Sequence, residues 1–426
     1  MEGYTNTEIG FFPNDWIVGR IDNFFEIQQG KQVSKSNRVG KNQRSFLRTS
    51  NIYWGKIVLE DLDYMHFSED EEARYRLEKN DLLVCEGGDI GRTAIWNQEV
   101  ENCYYQNHLH RLRAKTDDID PLFILQWLEY SFVIGKVYFG RANVTTIPNL
   151  SKSRLSELII PHPPLPEQRK IAKVLSTVQK AIEQQDNLIC TTAELKKALM
   201  QKLFTDGTRG EPQRETEIGL VPESWEVVEL YDICERVSIN VEPNKNGNTP
   251  YIGLEHIFPS RVRIYSWGNE NDIVSSKSKF KKGEILYGKL RPYLDKAAIT
   301  HFEGICSTDT LVFTGKNEVE NEFLIHFFHT ENFIEYAKST TTGVQHPRTS
   351  WNNLKKLKIA LPKKSERTEI TKSLNFLEDK IEVLEKKKQT LTALFKTLLH
   401  ELMTGQRRVH ELEFEALESL PRYEKS

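Results

Sequence analysis

PPLPEQRKIAKVLSTVQKAI at 163–182 joins a proline-rich entry to the apolar spacing of a long helix. A related stretch, PKKSERTEITKSLNFLEDKI at 362–381, follows 199 residues later. Proline suits a first helical turn because its missing N–H has no intrahelical partner there. The chain is therefore predicted to carry two copies of one long helix.

Apolar residues keep a coiled-coil spacing along both predicted helices. Nine of ten seam positions are apolar in the second helix: Ile370, Leu374, Leu377, Ile381, Leu384, Lys388, Leu391, Phe395, Leu398 and Leu402. Seven of ten are apolar in the first: Ile171, Leu175, Val178, Ile182, Gln185, Ile189, Thr192, Lys196, Leu199 and Leu203. Matching seams favour an antiparallel pair over two independent surface helices, and Gly207 and Gly405 are expected to end the helices.

A second repeat opens each half of the chain, as TEIGFFPNDW at 7–16 and TEIGLVPESW at 216–225. Each copy follows a long helix if the ends of the chain are joined, since LFTDG at 203–207 precedes the second copy and LMTG at 402–405 would precede the first. This cyclic order predicts that residues 1–16 lie near the end of the second helix.

Alternating apolar runs at 82–87, 284–289 and 311–315 indicate strands, and PLFILQWLEY at 121–130 indicates a short helix. The predicted fold class is α+β, with two globular domains separated by two long antiparallel coiled-coil helices in a pseudo-two-fold internal repeat. The predicted limits are 1–160 and 208–361 for the globular domains, 161–207 and 362–405 for the helices, and 406–426 for an acidic tail.

Composition is that of an ordinary globular protein, with 426 residues, 38% hydrophobic residues and a net charge of −3. Apolar runs stay well short of the roughly 20 residues of a membrane span. The N-terminus lacks a secretory pattern, and five scattered cysteines suit a reducing compartment. A cytoplasmic protein without membrane contact is expected.

Catalytic and cofactor motifs are weak. GEILYGKL at 283–290 has the spacing of a phosphate-binding loop, but Leu290 replaces the required hydroxyl and Pro292 opposes the helix that should follow. His108 and His110 would share one side of a strand without acidic or cysteine ligands nearby in sequence. The chain is predicted to be no enzyme and to hold no cofactor or metal.

Basic, amide and aromatic residues are interleaved in both halves, and residues 31–59 contain seven basic and no acidic residues. Cations suit phosphate contact, while Arg, Asn and Gln can pair with base edges. The candidate nucleic-acid contacts are Lys31, Lys35, Arg38, Lys41, Arg44, Arg48, Asn51, Tyr53, Trp54, Arg141, Asn143, Lys245, Asn248, His256, Lys289, Arg291, Gln345, His346 and Arg348. A solvated basic face without a ligand is the alternative.

The whole pattern resembles the DNA sequence-specificity subunits of type I restriction-modification systems. The resemblance rests on TEIGxxPxxW in both halves, KNDLLVCEGGDIGRTAIW at 79–96, KKGEILYGKLRPYLDKAAI at 281–299, GICSTDTLVF at 304–313 and PPLPEQRKIAKVL at 163–175. The second helix entry, KKSERTEITKSL, departs from the family pattern because it lacks Pro-Leu-Pro and Gln.

This resemblance implies that each globular domain recognises one half of a split site in double-stranded DNA. The helices would act as a spacer and dock the methyltransferase subunits, which carry S-adenosylmethionine, while restriction subunits join through the complex. Since the two domains differ, the site should be asymmetric, with one fixed spacer length. A single-chain restriction–methylation enzyme and a coiled-coil scaffold without DNA contact are the competing hypotheses.

Overall fold

A computed structural model describes residues 3–138 and 149–412 of the chain. Their contacts divide into two compact units. Unit 1 contains the chain up to Gln184 together with the chain from Lys388 onward, and unit 2 runs from Gln185 to Lys387. The division cuts both long helices in the middle, whereas the sequence suggested separate helical segments between domains. Among the described residues, no helix is long and apolar enough to cross a membrane.

Unit 1 is built mainly from short antiparallel strands. Its strands are β1 (Tyr4–Thr7), β2 (Gly10–Pro13), β3 (Ile17–Arg20), β4 (Phe25–Gln29), β5 (Gln43–Leu47), β6 (Ile52–Tyr53), β7 (Lys56–Ile57), β8 (Asp63–His66), β9 (Leu82–Cys85), β10 (Thr93–Ile95), β11 (Tyr104–Tyr105), β12 (Leu109–Ala114) and β13 (Ile159–His162). Its short helices are α1 (Ile21–Phe24), α2 (Glu69–Tyr75), α3 (Pro121–Glu129) and α4 (Lys152–Ser156), before the long helix α5 (Leu165–Thr205). The main sheet has the strand order β10-β9-β12-β4, and a smaller sheet has the order β11-β5-β8.

Unit 2 repeats this plan. Its strands are β14 (Gln213–Thr216), β15 (Gly219–Pro222), β16 (Glu226–Glu229), β17 (Cys234–Val237), β18 (Asn240–Val241), β19 (Pro250–Ile252), β20 (Gly268–Asn269), β21 (Lys277–Phe280), β22 (Ile285–Gly288), β23 (Ala297–Ile299), β24 (Gly304–Cys306), β25 (Thr310–Gly315) and β26 (Lys358–Leu361). Its helices are α6 (Leu230–Ile233), α7 (Asn321–Phe328), α8 (Glu331–Ser339), α9 (Trp351–Leu354) and the long α10 (Lys364–Met403).

The four-stranded sheets of the two units are equivalent. The order β23-β22-β25-β17 in unit 2 corresponds to β10-β9-β12-β4 in unit 1, and all of these pairings are antiparallel. The strands predicted near 82–87, 284–289 and 311–315 are β9, β22 and β25, and the predicted short helix is α3. The α+β fold class and the internal repeat are thus confirmed, while the exact domain limits stay predictions.

The long helices pack on each other in both units, with 41 residues in α5 and 40 in α10. In unit 1 the first half of α5 places Ile171 and Leu175 in one core with Leu398 and Leu402, from the second half of α10. In unit 2 the second half of α5 contributes Leu203 to a core with residues from the first half of α10, including Ile370 and Leu374. The pairing is therefore antiparallel, as the seams predicted.

A polar position of the α5 seam is buried in unit 2. Lys196 donates from Nζ to Glu378 Oε2 at 2.6 Å, with side-chain exposures of 8% and 0%. Arg261 approaches the other carboxylate oxygen at 3.4 Å and also pairs with Glu385 at 2.9 Å. The interruption in the apolar seam thus holds an ion pair that joins α5, α10 and the globular part of unit 2.

The repeated TEIG phrase ends in a tryptophan that fastens the start of a long helix. In unit 1, Trp16 Nε1 donates to Glu167 Oε2 at 3.1 Å, and Glu167 lies in the first turn of α5. Arg408, just after α10, donates to both oxygens of Glu167 at 2.8 Å and pairs with Asp15. Tyr4 also donates to the Gly405 carbonyl at 2.9 Å, so the segment that begins at Tyr4 lies beside the end of α10, as the cyclic order predicted.

Unit 2 contains the same junction with different supporting residues. Trp225 Nε1 donates to Glu366 Oε2 at 3.0 Å, in the first turn of α10. The backbone N–H of Thr208, just after α5, donates to Glu366 Oε1 at 2.7 Å. Gly207 has φ +71°, and a Cβ there would collide with the Glu366 carboxylate. Each junction therefore joins the end of one long helix, a TEIG phrase and the start of the other helix.

At the start of α10, an arginine makes the hydrogen bonds that a glutamine makes at the start of α5. In unit 1, Gln168 donates to the carbonyls of Pro163 and Asp118 at 2.7 and 3.0 Å. In unit 2, Arg367 occupies the corresponding position and donates to the Pro362 carbonyl at 3.0 Å and the Glu318 carbonyl at 2.9 Å. A different donor thus satisfies the equivalent backbone carbonyls.

The cyclic order predicts that the chain tolerates circular permutation. A break at Thr216 would fall inside β14, so the better site is the exposed turn between Gly210 and Glu211. With the natural ends joined by a short Gly/Ser linker, we expect this permutant to fold, because both junctions keep all their parts. Hydrogen exchange should show native protection in both four-stranded sheets. A control opened between Gln184 and Gln185, inside α5, should lose protection; collapse of the first permutant as well would contradict the cyclic arrangement.

Removing one member of the buried Lys196–Glu378 pair should destabilise unit 2, and removing the second member as well should reverse most of that loss. Lys196→Met should lower the free energy of unfolding of unit 2 by about 3 kcal/mol, because it leaves a buried carboxylate with poor compensation. Lys196→Met combined with Glu378→Met should restore most of that loss. Denaturant unfolding followed by hydrogen exchange in β22 and β25 measures both effects. Lys338→Met, which breaks an exposed pair with Glu335, is the control and should change stability by less than about 1 kcal/mol.

Candidate nucleic-acid interface

Three loops of unit 2 meet at one end of its four-stranded sheet. They are the loop after β22, the turn before β25 and the segment 340–350. The Lys289 N–H donates to the Asp309 carbonyl at 2.9 Å, and the Thr349 N–H donates to the Lys289 carbonyl at 3.1 Å. The Arg291 N–H donates to the Pro347 carbonyl at 2.8 Å. These backbone bonds define a surface that we call the unit 2 loop cluster.

Five predicted contact residues lie together on this cluster, although they come from two distant segments: Lys289, Arg291, Gln345, His346 and Arg348. Lys289 is half-buried and the other four are exposed. Arg291 adopts the left-handed conformation, with φ +50°, and precedes a single 3₁₀ turn at Pro292–Leu294. The GEILYGKL motif is therefore a strand and a turn, without the helix that a phosphate-binding loop needs.

Arg348 is the cation of this cluster that has a fixed partner. Its Nε donates to Asp309 Oδ1 at 2.9 Å and its Nη2 donates to Oδ2 at 3.3 Å. The hydrogen bonds from the Arg348 guanidinium hold the pKa of the Asp309 carboxyl below its usual value. The side chains of Arg348 and Asp309 are 43% and 29% exposed, so the pair remains open to solvent.

Unit 1 has an equivalent cluster with other side chains. The Glu86 N–H donates to the His108 carbonyl at 3.0 Å, and the Leu150 N–H donates to the Glu86 carbonyl at 2.7 Å, as at Lys289, Asp309 and Thr349 of unit 2. A glutamate therefore replaces Lys289, and a histidine replaces Asp309. Glu86, His108 and Asp309 were not among the predicted contacts, because none of them lies in a basic stretch. An alignment of the two repeats would have placed all three in the loop clusters.

Two residues of the basic stretch serve the interior of unit 1. Lys31 is buried, and its Nζ donates to Glu71 and to the His66 carbonyl, both at 2.6 Å. Asn51 is 2% exposed, and its amide donates to the carbonyls of Val58 and Asp61 at 2.9 and 3.0 Å. Both side chains are used by the fold, so we remove them from the candidate interface.

The arginines of the same stretch are paired with acids that follow it in sequence. Their carboxylate partners and distances are Arg44 with Glu72 at 2.7 Å, Arg48 with Asp61 at 2.7 Å and Arg38 with Asp63 at 3.5 Å. Lys35 and Lys41 are exposed. Tyr53 is 49% exposed beneath the Arg92 guanidinium, whereas Trp54 packs against the core of unit 1. Arg141 and Asn143 lie outside the described residues.

The remaining predicted contacts of unit 2 lie around β19. Lys245 and Asn248 are exposed on the loop before this strand. The His256 Nδ1 accepts the Gly253 N–H at 2.9 Å, which leaves its Nε2 side for other partners. The Ser307 N–H donates to the Ile252 carbonyl at 2.9 Å, so β19 is tied to the turn that carries Asp309. Arg263 of this region is paired with Asp379 and Glu382 of α10 and supports the fold.

The family model described as the type I restriction modification DNA specificity domain matches this chain twice, at residues 13–189 and 222–393. The chain belongs to this family. One match falls in each half of the internal repeat, so the two-copy organisation inferred from the TEIG phrases is confirmed. The resemblance noted in the sequence is confirmed as well.

Relatives cover nearly the whole chain at low identity. The putative type I restriction enzyme MjaX specificity subunit of Methanocaldococcus jannaschii is 27% identical, over 96% of this chain and 97% of its own length. The MjaVIII specificity subunit of the same organism is 26% identical, over 94% and 95%. The EcoDI specificity subunit of Escherichia coli is 23% identical, over 68% and 71%.

Solved structures share the fold. The S subunit of a type I restriction-modification system from M. genitalium aligns with a TM-score of 0.54 and 19% identity, covering 91% of this chain and 96% of that chain. A chain from a structure on complex assembly and conformational transition of the type I R-M system aligns with a TM-score of 0.58 and 15% identity, covering 93% and 99%.

Proposed function

We propose that this chain is the DNA-reading specificity subunit of a type I restriction-modification complex, and that each unit reads one half of a split site in double-stranded DNA. The observation that carries the proposal is the repeated loop cluster, which has the same backbone bonds but different side chains in the two units. A shared backbone presents side chains in equivalent ways, while different side chains select different bases. The site is therefore expected to be asymmetric.

The proposed DNA contacts are the predicted residues whose side chains stay exposed or half-buried and do not pack against a hydrophobic core. They are Lys35, Arg38, Lys41, Arg44, Arg48, Tyr53, Lys245, Asn248, His256, Lys289, Arg291, Gln345, His346 and Arg348. Lysines supply phosphate contact, whereas arginine and the amides can also pair with base edges. Trp54, Arg141 and Asn143 stay predictions from the sequence.

The long helices are proposed to set the spacer and to dock the methyltransferase subunits. α5 and α10 each run unbroken from one unit into the other, which supports one fixed spacer length. Both helices also carry exposed apolar side chains, including Leu195, Phe376 and Val383 at 56%, 66% and 64% exposure. Such residues suit a protein partner. Restriction subunits would join through this complex in the cytoplasm, with the cofactors held by the partner subunits and no catalysis by this chain.

The proposal predicts that deletion of the gene removes one methylation pattern from the host DNA. Methylation sequencing of the host with and without the gene should show that a single asymmetric bipartite motif, with methylated adenine and one spacer length, disappears. An unchanged methylome would contradict the proposal. Methyl transfer to DNA by the purified chain alone would favour the single-chain enzyme, and the absence of sequence-specific binding would favour the scaffold.

If Lys35 and Lys41 contact phosphates, their removal should change the salt dependence of DNA binding. The double substitution Lys35→Ala and Lys41→Ala should weaken binding to all DNA sequences and reduce the slope of log K against log salt by roughly 0.9 for each lost contact. Fluorescence anisotropy between 50 and 200 mM salt, roughly the range in which such losses are large, measures the slope. Lys338→Ala, on α8, is the control and should leave it unchanged. Equal slopes in both variants would exclude these lysines from the interface.

A further inference from the structure

Arg348 is held so that one of its two hydrogen-bonding edges is occupied and the other is presented to solvent. A guanidinium can make paired hydrogen bonds through Nε with Nη2, or through Nη1 with Nη2. Asp309 takes the first edge, at 2.9 and 3.3 Å. On the second edge, the His346 carbonyl lies 3.5 Å from Nη1, which is a weak contact. The exposed edge therefore has two donors in a fixed plane.

Both members of this pair are anchored by their backbones. Arg348 and Thr342 exchange two N–H to carbonyl bonds of 3.0 Å, and Leu290 forms an antiparallel bridge to Arg348. The Asp309 N–H donates to Ser307 Oγ at 3.2 Å, while its carbonyl accepts from Lys289. Fixing a long side chain before binding removes part of the ordering cost of recognition.

We infer that Arg348, oriented by Asp309, recognises one guanine in the half-site read by unit 2. In the major groove guanine presents two acceptors, O6 and N7, which match two parallel N–H donors. Adenine presents one acceptor and one donor, so its amino group would oppose the guanidinium. The inference rests on the proposed function, which it extends from DNA in general to one base.

The equivalent positions of the unit 1 cluster carry other residues than the Arg348–Asp309 pair. The aligned backbone bonds place His108 at the position of Asp309 and Asn149, which precedes Leu150, at the position of Arg348. Among the described residues, the positions equivalent to Asp309 and Arg348 thus carry no arginine–aspartate pair in unit 1, and the guanine contact belongs to the unit 2 loop cluster. Lys289, Arg291 and His346 surround Arg348 with further basic groups that suit the neighbouring phosphates.

The experiment is selection of binding sites from a random duplex library by the full chain, followed by affinity measurements on the selected duplex. We compare the unchanged chain with Arg348→Ala and Asp309→Ala. In both variants, one G·C position of one half-site should lose its preference, by about tenfold or more. Preferences at the other positions of the same half-site should persist and thus report that unit 2 is folded in both variants. Replacing that guanine by 7-deazaguanine should weaken binding of the unchanged chain and leave the affinity of Arg348→Ala unaffected.

Asp309→Ala separates orientation from simple charge. Removing a carboxylate near DNA should strengthen binding overall, since it removes repulsion from phosphate, but loss of orientation should still abolish the guanine preference. Tighter binding with unchanged base preference would overturn the inference, as would an affected base other than guanine.

The matched control is an equally exposed arginine–aspartate pair in unit 1. Arg20 binds Asp22 through the same edge, at 3.2 and 3.0 Å, with side-chain exposures of 48% and 36%. Arg20 lies before the first residue of β4. The loop cluster is at the other end of this strand, where the Gln29 side chain donates to the Asn107 carbonyl in the turn before β12. Arg20→Ala should leave every base preference intact. Failure of the unchanged chain to select a bipartite site would refute the proposed function itself. A bipartite site that Arg348→Ala leaves unaltered would refute only this inference.

Discussion

The hydrogen bond between a tryptophan indole and a buried glutamate in the first turn of each long helix is the contact on which the rest of the fold depends. Glu167 and Glu366 are 9% and 1% exposed, and a buried carboxylate is costly unless its oxygens are satisfied. Trp16 and Trp225 satisfy one oxygen in each unit. The remaining partners come from residues just beyond the end of the other long helix, Arg408 and Thr208. The TEIG phrase is repeated because each junction needs its own tryptophan.

The two units share their helix junctions and sheets but differ in the side chains of their loops. The helix starts, the glycines after the helix ends and the antiparallel sheets recur in both units with the same pairings. The loops at the open end of each four-stranded sheet keep their backbone bonds, while Glu86 and Lys289 show that the charge itself can change sign at one position. A rigid frame with replaceable side chains suits a protein whose two halves recognise different ligands.

The sequence predicts the frame well because local patterns determine it. The 3.5-residue spacing of apolar side chains gave the helix pair, and the register of two copies gave the cyclic order. Side-chain roles in the basic stretch were harder, because acids outside the stretch decide them. Lys31 is neutralised by Glu71, 40 residues away, and the Asn51 side chain donates to the backbone carbonyls of Val58 and Asp61. The pairing of Asp309 with Arg348 depends on two loops that only the folded sheet brings together.

Net charge is a poor guide to DNA binding in such a protein. The chain carries 61 acidic and 58 basic side chains, which would argue against a polyanionic ligand if charge acted only in total. Several acids of unit 2 lie on α10 and are bonded to arginines of the globular part, such as Glu385 with Arg261 and Glu382 with Arg263. Others pair with arginines of the proposed interface, as Asp309 does with Arg348. An acid placed beside an arginine lowers the total charge while fixing the direction of the donors that remain, so a near-neutral chain can still present a directed, locally basic surface.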